Sequence, residues 1–466
     1  MPRTPLRDDG SNPHFVSGST MQHVLVMTGT GSIGLIAVFA VDFLSLLYVS
    51  WLDDPALTAG VGLATILLFL TTAINVGLMI AVGALVSRAL GARDRERAQR
   101  LSASCLLHMT LASALVALVF MPFLRPILEL LGAKGRTLDT AMIFLVIAMP
   151  TNPVMALGMG LSGVLRAAGD ARRAMYVTLS AAAATAVLDP LLIFGLGLGV
   201  PGAAIALVTS RVISAMVGLS AAAWLHDLVA RPNLRDAMAD APAMYAIALP
   251  AVLTNVATPT ANSVFAGIMA RFGEQAIAAN AIVDRIIPVA FGGLFALSGA
   301  VGPILGQNWG SRRFDRMRQT LRDALIVAGL YVAAVWLILI ALQNLVPMLF
   351  RAEGLTAELV SFFCLISGFV WFFIGLLFVA NASFNNLGYP LLSTGFNWGR
   401  AVIGMVPAAL AGAALAGPKG ALLGIGIGSV PFGIAAILVA FGTIRRLERE
   451  ATPPISAELA PRRQSG

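Results

Sequence analysis

Twelve apolar segments, each long enough to cross a lipid bilayer, dominate this chain of 466 residues. A helix needs about 20 consecutive apolar residues to span the hydrocarbon core, where every backbone polar group must find its partner within the protein. The sequence therefore predicts an all-α polytopic membrane protein with twelve transmembrane helices. The expected helices cover residues 23–50, 57–87, 101–128, 138–165, 174–195, 201–225, 243–270, 276–306, 321–349, 357–386, 391–416 and 420–444.

The composition excludes other classes of protein. Hydrophobic residues make up 58% of the chain and charged residues only 12%, which is unlike a soluble or a disordered protein. The net charge of +8 comes from short arginine clusters without interleaved aromatic side chains, so we expect no nucleic-acid partner. The two cysteines and four histidines lack the spacing of a metal site, and we expect no cofactor beyond a coupling ion.

The positions of the cationic residues predict the orientation in the membrane. Fifteen arginines lie in connections after even-numbered segments, whereas six arginines and lysines follow odd-numbered segments. Arg445, Arg446 and Arg449 follow the last segment and add to the bias. Because cationic loops stay on the cytoplasmic side, we expect an integral protein of the plasma (inner) membrane with both termini in the cytoplasm.

An internal repeat divides the twelve segments into two halves. GALVSRALGARDRER from Gly83 and GPILGQNWGSRRFDR from Gly302 share glycines eight residues apart, followed by a basic run. GVLRAAGD from Gly163 matches ASFNNLGY from Ala382 at the same offset of 219 residues, and such a recurring shift indicates duplication. Since six is even, we expect two six-helix lobes in the same orientation, related by a pseudo-two-fold axis along the membrane normal.

This duplication predicts five regions along the chain. The expected N-lobe covers residues 23–225 and the C-lobe residues 243–444, joined by a cytoplasmic linker at 226–242. Cytoplasmic tails are expected at 1–22 and 445–466. A duplicated bundle with a central cavity is typical of transporters, although channels and membrane enzymes can be duplicated as well.

Two carboxylates lie within the first and fifth apolar segments. Asp42 and Asp189 each precede the expected outer end of their helix, near Asp53 and Val200, by 11 residues, or about 16 Å. An ionised carboxylate at a helix centre costs about 2.5 kcal/mol or more, unless a cavity, a partner or a proton compensates. At equal depth in one lobe the two groups can meet, and such a pair can exchange a proton or share a cation. A pair that only fixes helix packing is the alternative.

Several motifs resemble the multidrug and toxic compound extrusion (MATE) family of cation-coupled efflux transporters. They are GVLRAAGDARRAMY, VLDPLLIFGLGLGVPGAAIA, ALVSRALGARDRERA, ALSGAVGPILGQNWGSRRFDR and NNLGYP, each at the helix where that family has its counterpart. The resemblance implies a V-shaped cavity between two lobes and export of amphipathic, often cationic compounds in exchange for Na⁺ or H⁺. It also implies that Asp42 and Asp189 form the coupling site.

Departures from the family pattern decide which ion we expect. Where Na⁺-binding members of the family have an asparagine and a threonine, this chain has Thr185 and Leu207. A hard cation needs several oxygen ligands, whereas proton transfer needs only a suitable carboxylate. We therefore favour H⁺ at a site formed by Asp42, Asp189 and Thr185, with Na⁺ at the two aspartates as the alternative.

Other polar residues in the apolar segments are candidates for substrate binding or for a secondary polar site. Asn255 and Asn381 lie in helices where some family members carry carboxylates. Asp284 is followed by Arg285, and the simplest interpretation is a neutralised pair that faces the bundle interior. Arg211 either snorkels toward the helix end or crosses the lobe as a counter-ion.

These features predict a secondary active antiporter that exports amphipathic, cationic drugs or xenobiotics in exchange for H⁺ or Na⁺. A flippase for a lipid-linked precursor is the alternative, although few intramembrane arginines are present to bind an anionic substrate. The sequence lacks the groupings of acid, base or metal ligands that indicate an enzyme, and the charged rings that indicate a channel. We expect a monomer whose partners are small amphipathic substrates and membrane lipid.

Overall fold

The computed structural model describes residues 13–52 and 54–451. This part of the chain is helical and has no strand, as the apolar segments predict. Eleven of its helices are long and apolar enough to cross a membrane. The last of them, Pro390–Ala451, is broken at Ala416 and Gly417, where the backbone angles are not helical. It therefore forms two helices, and the total is the twelve that the sequence predicts.

We number these helices α1 to α12 in chain order. They are Thr20–Ser50, Pro55–Gly91, Arg95–Leu130, Gly135–Ala168, Ala171–Gly195, Val200–Leu225, Leu234–Ala270, Glu274–Gly310, Phe314–Ala341, Gly354–Leu387, 390–415 and 418–451.

Local sequence explains how α4 ends and α5 begins. Gly169 adopts the left-handed conformation that closes α4, and Asp170 caps α5 by accepting the N–H of Arg173 at 3.0 Å. The carboxylate of Asp170 also accepts hydrogen bonds from the Arg173 guanidinium and, at 2.8 Å, from the His226 ring. Burial raises the pKa of Asp170, but these hydrogen bonds outweigh it and hold the pKa well below the usual range.

Several membrane helices change their winding at positions that the apolar pattern did not predict. Tight 3₁₀ turns interrupt α3 and α4 at a proline, because proline supplies no backbone donor for the regular helical bond. Wider π turns close α5 and α6 and interrupt α11. The 3₁₀ turns are Met121–Phe123 and Met149–Thr151, and the π turns are Leu191–Gly195, Ser220–Leu225 and Arg400–Met405.

The backbone repeats itself at the offset that the sequence indicates. Gly169 and Gly388, which are 219 residues apart, end α4 and α10 with φ angles of 90° and 94°. Arg93 and Arg312, at the same offset, follow α2 and α8 with φ angles of 60° and 55°. The helices α1–α6 and α7–α12 therefore form two copies of one six-helix unit, as the duplication predicts.

Both ends of the described chain lie at one face of the bundle. Near the N-terminus, the Phe15 N–H donates to Gln307 at 2.8 Å, and its carbonyl accepts from Arg316 at 2.9 Å. Near the C-terminus, Glu448 pairs with Arg318, which follows Arg316 on α9. We call this side the terminal face, and the other side the opposite face.

The two lobes meet backbone to backbone where α2 crosses α8 at the terminal face. A Cβ atom on Gly91 would lie 2.1 Å from the carbonyl oxygen of Gln307, and one on Gly310 would lie 2.2 Å from that of Arg88. Only glycine fits at such a distance. Gly91 and Gly310 are 219 residues apart, so they are equivalent positions of the two repeats. Each packs against the other lobe next to the pseudo-two-fold axis.

Hydrogen bonds between the described parts of the two lobes also cluster toward the terminal face. Gln307 Nε2 donates to the Ala167 carbonyl at 2.7 Å, and Arg88 Nε donates to the Asn386 carbonyl at 2.7 Å. The Arg88 guanidinium also lies over the Trp309 ring, 4.3 Å from its centroid. The lobes are therefore held together at the terminal face.

The connection between the lobes differs from the expected linker at 226–242. Its non-helical part is confined to 226–233, because α7 begins at Leu234 with Asn233 as its cap. The expected tails are also partly helical, since α1 begins at Thr20 and α12 continues to Ala451. The remaining tail residues, 1–12 and 452–466, and Asp53 at the expected end of the first helix, lie outside the described residues.

Candidate functional site

The structure brings Asp42 and Asp189 together in the N-lobe. Their helices, α1 and α5, pack against each other, and the two carboxylates are close enough to interact electrostatically. Asp42 lies eight residues before the end of α1 at Ser50, and Asp189 lies six residues before the end of α5 at Gly195. Both groups therefore lie at a similar depth, nearer the opposite face.

A serine that sequence reasoning missed completes this cluster. Ser45 donates a short hydrogen bond to Asp189 Oδ2, and it lies one helical turn after Asp42 on the same face of α1. Asp189 is only 1% exposed, whereas Asp42 is exposed. The cluster thus has one carboxylate at the protein surface and one carboxylate buried behind it. The three-residue spacing places Ser45 on the same face of α1 as Asp42, but its contact with Asp189 depends on how α1 is rotated against α5.

The other two predicted positions of this site add little oxygen. Thr185 lies one turn before Asp189 and is buried, but its hydroxyl donates to the Ala181 carbonyl of its own helix at 3.1 Å. Leu207 packs against an apolar cluster at the opposite-face end of the N-lobe. Neither position therefore adds a free side-chain oxygen to those of Asp42, Asp189 and Ser45.

Asp284 and Arg285 do not form the neutralised pair that we expected. Both side chains are exposed, and Asp284 instead accepts a hydrogen bond from Asn280 of its own helix at 3.1 Å. In the described part of the chain Asp284 has no ion pair with Arg285, because adjacent residues on a helix point in different directions. On α8, Arg285 is two turns from Gly292, which faces Phe39 of α1, so this face of α8 points toward the N-lobe.

Arg211 crosses its lobe instead of snorkelling to the helix end. Its side chain is buried, and Nη1 donates to the Ala148 carbonyl at 2.7 Å and to the Thr151 hydroxyl at 2.8 Å. The 3₁₀ turn in α4 releases the Ala148 carbonyl, because the N–H of Asn152 bonds to Met149 instead. Arg211 therefore closes a break in α4.

The two asparagines predicted in the C-lobe have different surroundings. Asn255 donates to the Ala251 carbonyl of its own helix at 2.8 Å. Asn381 is buried and accepts a hydrogen bond from Asn397 at 2.9 Å, which ties α10 to α11. Asn381 therefore fixes helix packing, while Asn255 is half-buried on α7.

A second residue that sequence reasoning missed is Arg400 on α11. It is 3% exposed, and Nη2 donates to the Thr258 hydroxyl on α7 at 3.2 Å. Its Nε has no hydrogen-bond partner in the described part of the chain. A single arginine inside the apolar segment FNWGRAVIG was the signal for this residue.

Comparisons with known proteins agree with this architecture. A model of the MatE family matches the chain twice, over residues 32–191 and 250–410. A FAD transporter from Shewanella oneidensis is 27% identical over 428 residues, which cover 90% of this chain and 93% of the relative. The multidrug export protein MepA from Staphylococcus aureus is 25% identical, over 74% of this chain and 78% of the relative.

Solved structures share the fold. An outward-facing conformation of a multidrug resistance MATE family transporter superposes with a TM-score of 0.86 at 21% identity, and covers 94% of this chain and 99% of that structure. A mutant of the Vibrio cholerae MATE transporter VcmN superposes with a TM-score of 0.87 at 22% identity, over 92% and 98% of the two chains. These likenesses establish the two-lobe architecture.

Proposed function

This chain belongs to the MatE family, a family of membrane transporters and not of enzymes, and we propose that it exports amphipathic organic compounds in exchange for H⁺. The observation that carries the proposal is the pair of intramembrane carboxylates, Asp42 and Asp189, with the Ser45 hydroxyl between their helices. One relative is named as the multidrug export protein MepA, and this name supports export as the direction of transport and a broad range of substrates.

The exposed and buried members of the pair have different roles in this proposal. Asp42 receives the proton from the aqueous side, and Asp189 holds it away from water next to Ser45. Protonation removes negative charge from the N-lobe wall and weakens its attraction for a cationic substrate, so proton and substrate compete. Competition of this kind couples the inward flow of protons to the outward flow of substrate.

Proton coupling is preferred over Na⁺ coupling because the site is poor in oxygen. The Thr185 hydroxyl is directed to its own helix, and Leu207 supplies no oxygen. Na⁺ at Asp42 and Asp189 remains the alternative, and a Na⁺ gradient in place of a pH gradient tests it directly.

The orientation is part of the same proposal. The cationic connections that follow the even-numbered helices lie at the terminal face, together with both ends of the described part of the chain. The positive-inside rule assigns that face to the cytoplasm. Because the lobes are held together at that face, the proposal assigns this structure to a state that is closed to the cytoplasm.

Export of a flavin nucleotide is the second candidate function. The relative that matches 90% of this chain is named as a FAD transporter, and FAD is a large aromatic molecule with two phosphates. Proton coupling takes a different form for this anionic substrate, because protonation of Asp42 and Asp189 favours the binding of an anion instead of opposing it.

Transport into proteoliposomes under an imposed pH gradient in Na⁺-free buffer tests the proposal. We expect wild-type protein to move a fluorescent amphipathic cation, and Asp42→Asn and Asp189→Asn each to abolish gradient-driven transport. Asp139→Asn is the matched control, because Asp139 is exposed near the start of α4. The coupling role would be refuted if transport persisted in both Asp42→Asn and Asp189→Asn, or if Asp139→Asn lost as much transport as they do.

A further inference from the structure

We propose that the C-lobe contains a binding site for the anionic group, a carboxylate or phosphate, of a transported amphipathic compound, with Arg400 at its centre. The inference rests on the proposed transport function and specifies one class of substrate for it. Arg400 lies ten residues after the start of α11 at Pro390, about 15 Å along the helix and so near the middle of the membrane.

The guanidinium of Arg400 is buried with most of its hydrogen-bonding capacity unused. It donates to the Thr258 hydroxyl at 3.2 Å and contacts the Met405 sulfur at 4.0 Å, and Nε has no partner among the described residues. Nε of Arg211 also lacks a partner there, but Arg211 donates two hydrogen bonds to oxygen atoms, at 2.7 and 2.8 Å, where Arg400 donates one. From 241 to 270 and from 390 to 447, the sequence of α7, α11 and α12 contains no Asp or Glu. A buried cation without an anion is costly, so this arrangement calls for an anionic ligand.

Arg400 lies between the helices that are equivalent to those of the coupling site, but at a different depth. At the 219-residue offset it corresponds to Ala181, which lies eight residues, or about 12 Å, before Asp189 on α5. In the N-lobe, charged side chains lie between α1 and α5; in the C-lobe, Arg400 lies between α7 and α11, the equivalent helices at the 219-residue offset. The N-lobe pair is negative and the C-lobe site is positive. The two walls of the transporter therefore carry opposite charges inside the membrane.

The site borders the boundary between the lobes. Val252 of α7 touches Gly77 of α2, which belongs to the other lobe. Thr258 lies six residues further from the terminal face, and Asn255 is half-buried one turn away on the same face of α7. Arg400 thus reaches from α11 to the polar face of α7 that carries Asn255 and Thr258. This face lies beyond the last hydrogen bonds between the lobes, on the side away from the terminal face.

Local winding positions the arginine. Arg400 is the first residue of the π turn Arg400–Met405, which widens α11 and places Met405 beside the guanidinium. The planar guanidinium matches a carboxylate or a phosphate with two parallel hydrogen bonds, a geometry that lysine cannot reproduce.

Riboflavin and flavin mononucleotide are suitable probes, because they share one fluorescent ring system and differ by a phosphate. Binding to purified protein in nanodiscs is measured by fluorescence polarisation. We expect the wild-type protein to bind flavin mononucleotide at least about tenfold more tightly than riboflavin, which is about 1.4 kcal/mol. Arg400→Gln should bring the ratio of the two affinities close to one.

Two further variants and a control keep the test decisive. Arg400→Lys keeps the charge but not the paired hydrogen bonds, and Thr258→Val removes the hydroxyl that holds the guanidinium; both should lower the ratio by several-fold. If Arg400→Gln does not fold, Arg400→Lys and Thr258→Val test the anion site in its place. Arg211→Gln is the matched control, because it removes an equally buried arginine that bonds to α4, and it should leave the ratio unchanged.

The outcomes separate this inference from the proposed function. No preference for the phosphate in the wild-type protein, or an equal fall of the ratio in Arg400→Gln and Arg211→Gln, would overturn the anion site. Wild-type transport of an amphipathic cation under a pH gradient is scored separately. If that transport is absent while the Arg400-dependent preference is present, proton antiport is refuted and the anion site stands.

Discussion

Substitution of Gly91 by alanine tests whether the α2–α8 crossing closes the terminal face. The new Cβ would lie 2.1 Å from the Gln307 carbonyl oxygen, whereas ordinary van der Waals contact begins near 3.4 Å. The two backbones must therefore move apart by more than 1 Å, and neither can yield as a flexible side chain would. Overpacking of this kind costs about 1–3 kcal/mol. Because the cost falls on the closed face, the balance between closed and open states should shift about 5- to 150-fold toward opening.

Spin labels at positions 97 and 322 report this shift. Arg97 and Arg322 are exposed and lie on different lobes near the terminal face, so the distance between labels there grows when the lobes separate. Gly83→Ala is the matched control on the same helix, because its Cβ would meet nothing within 4 Å. We expect Gly91→Ala, but not Gly83→Ala, to show an additional population with a longer distance between the two spin labels. Equal distance distributions in the two variants would refute the role of this crossing.

Three further predictions concern topology, stability and the ion. A cysteine at Arg231 should react with an impermeant maleimide only from the cytoplasmic side and one at Lys134 only from outside, over a low background because both native cysteines are buried; reversed labelling would contradict the orientation. Asp170→Asn should lower the free energy of unfolding by about 2 kcal/mol at neutral pH, because it weakens charged hydrogen bonds. Since the pKa of Asp170 is held low, the difference in melting temperature should persist above about pH 4 and shrink as the pH falls below it, and a constant difference would contradict this cause. Thr185→Asn combined with Leu207→Thr should introduce stimulation of transport by Na⁺, and no response to Na⁺ would show that position 207 does not face the aspartates.

The number of helices and the duplication were predictable because the membrane imposes them. A spanning segment must be apolar for about 20 residues, and the loops between such segments carry turn signals that survive duplication. Gly169 and Gly388 are an example, since both need a left-handed conformation to end a helix. The ends of the helices were less predictable, because polar segments such as 234–242 continue a helix outside the membrane.

The candidate site was predictable in part, for a physical reason. Charged residues are rare in the membrane, so Asp42 and Asp189 were easy to find, and their depths could be compared by counting residues. Contacts that depend on helix rotation could not be counted in this way. Ser45 was missed for that reason, and Asp284 and Arg285 were paired by adjacency although neighbours on a helix diverge.

The 3₁₀ and π turns explain the remaining differences between the sequence-based predictions and the structure. The 3₁₀ turn that releases the Ala148 carbonyl for Arg211 depends on how α4 bends, and an apolar pattern contains no record of it. The π turn at Arg400 is similar. It shifts the helical phase by about one residue, but a segment that is apolar on nearly all sides shows no such shift in its sequence. Arg400 was visible in the sequence as a lone charge, but its lack of a carboxylate partner could be recognised only from the packing.

Release of protons on substrate binding tests the central claim most directly. A pH-indicator dye in weakly buffered, Na⁺-free solution reports the protons that leave the protein when substrate is added. If Asp42 and Asp189 exchange a proton for substrate, the wild-type protein should release protons in proportion to the substrate bound, and Asp189→Asn should release far fewer at equal occupancy. Substrate binding without proton release in the wild-type protein, or undiminished release in Asp189→Asn, would contradict the account.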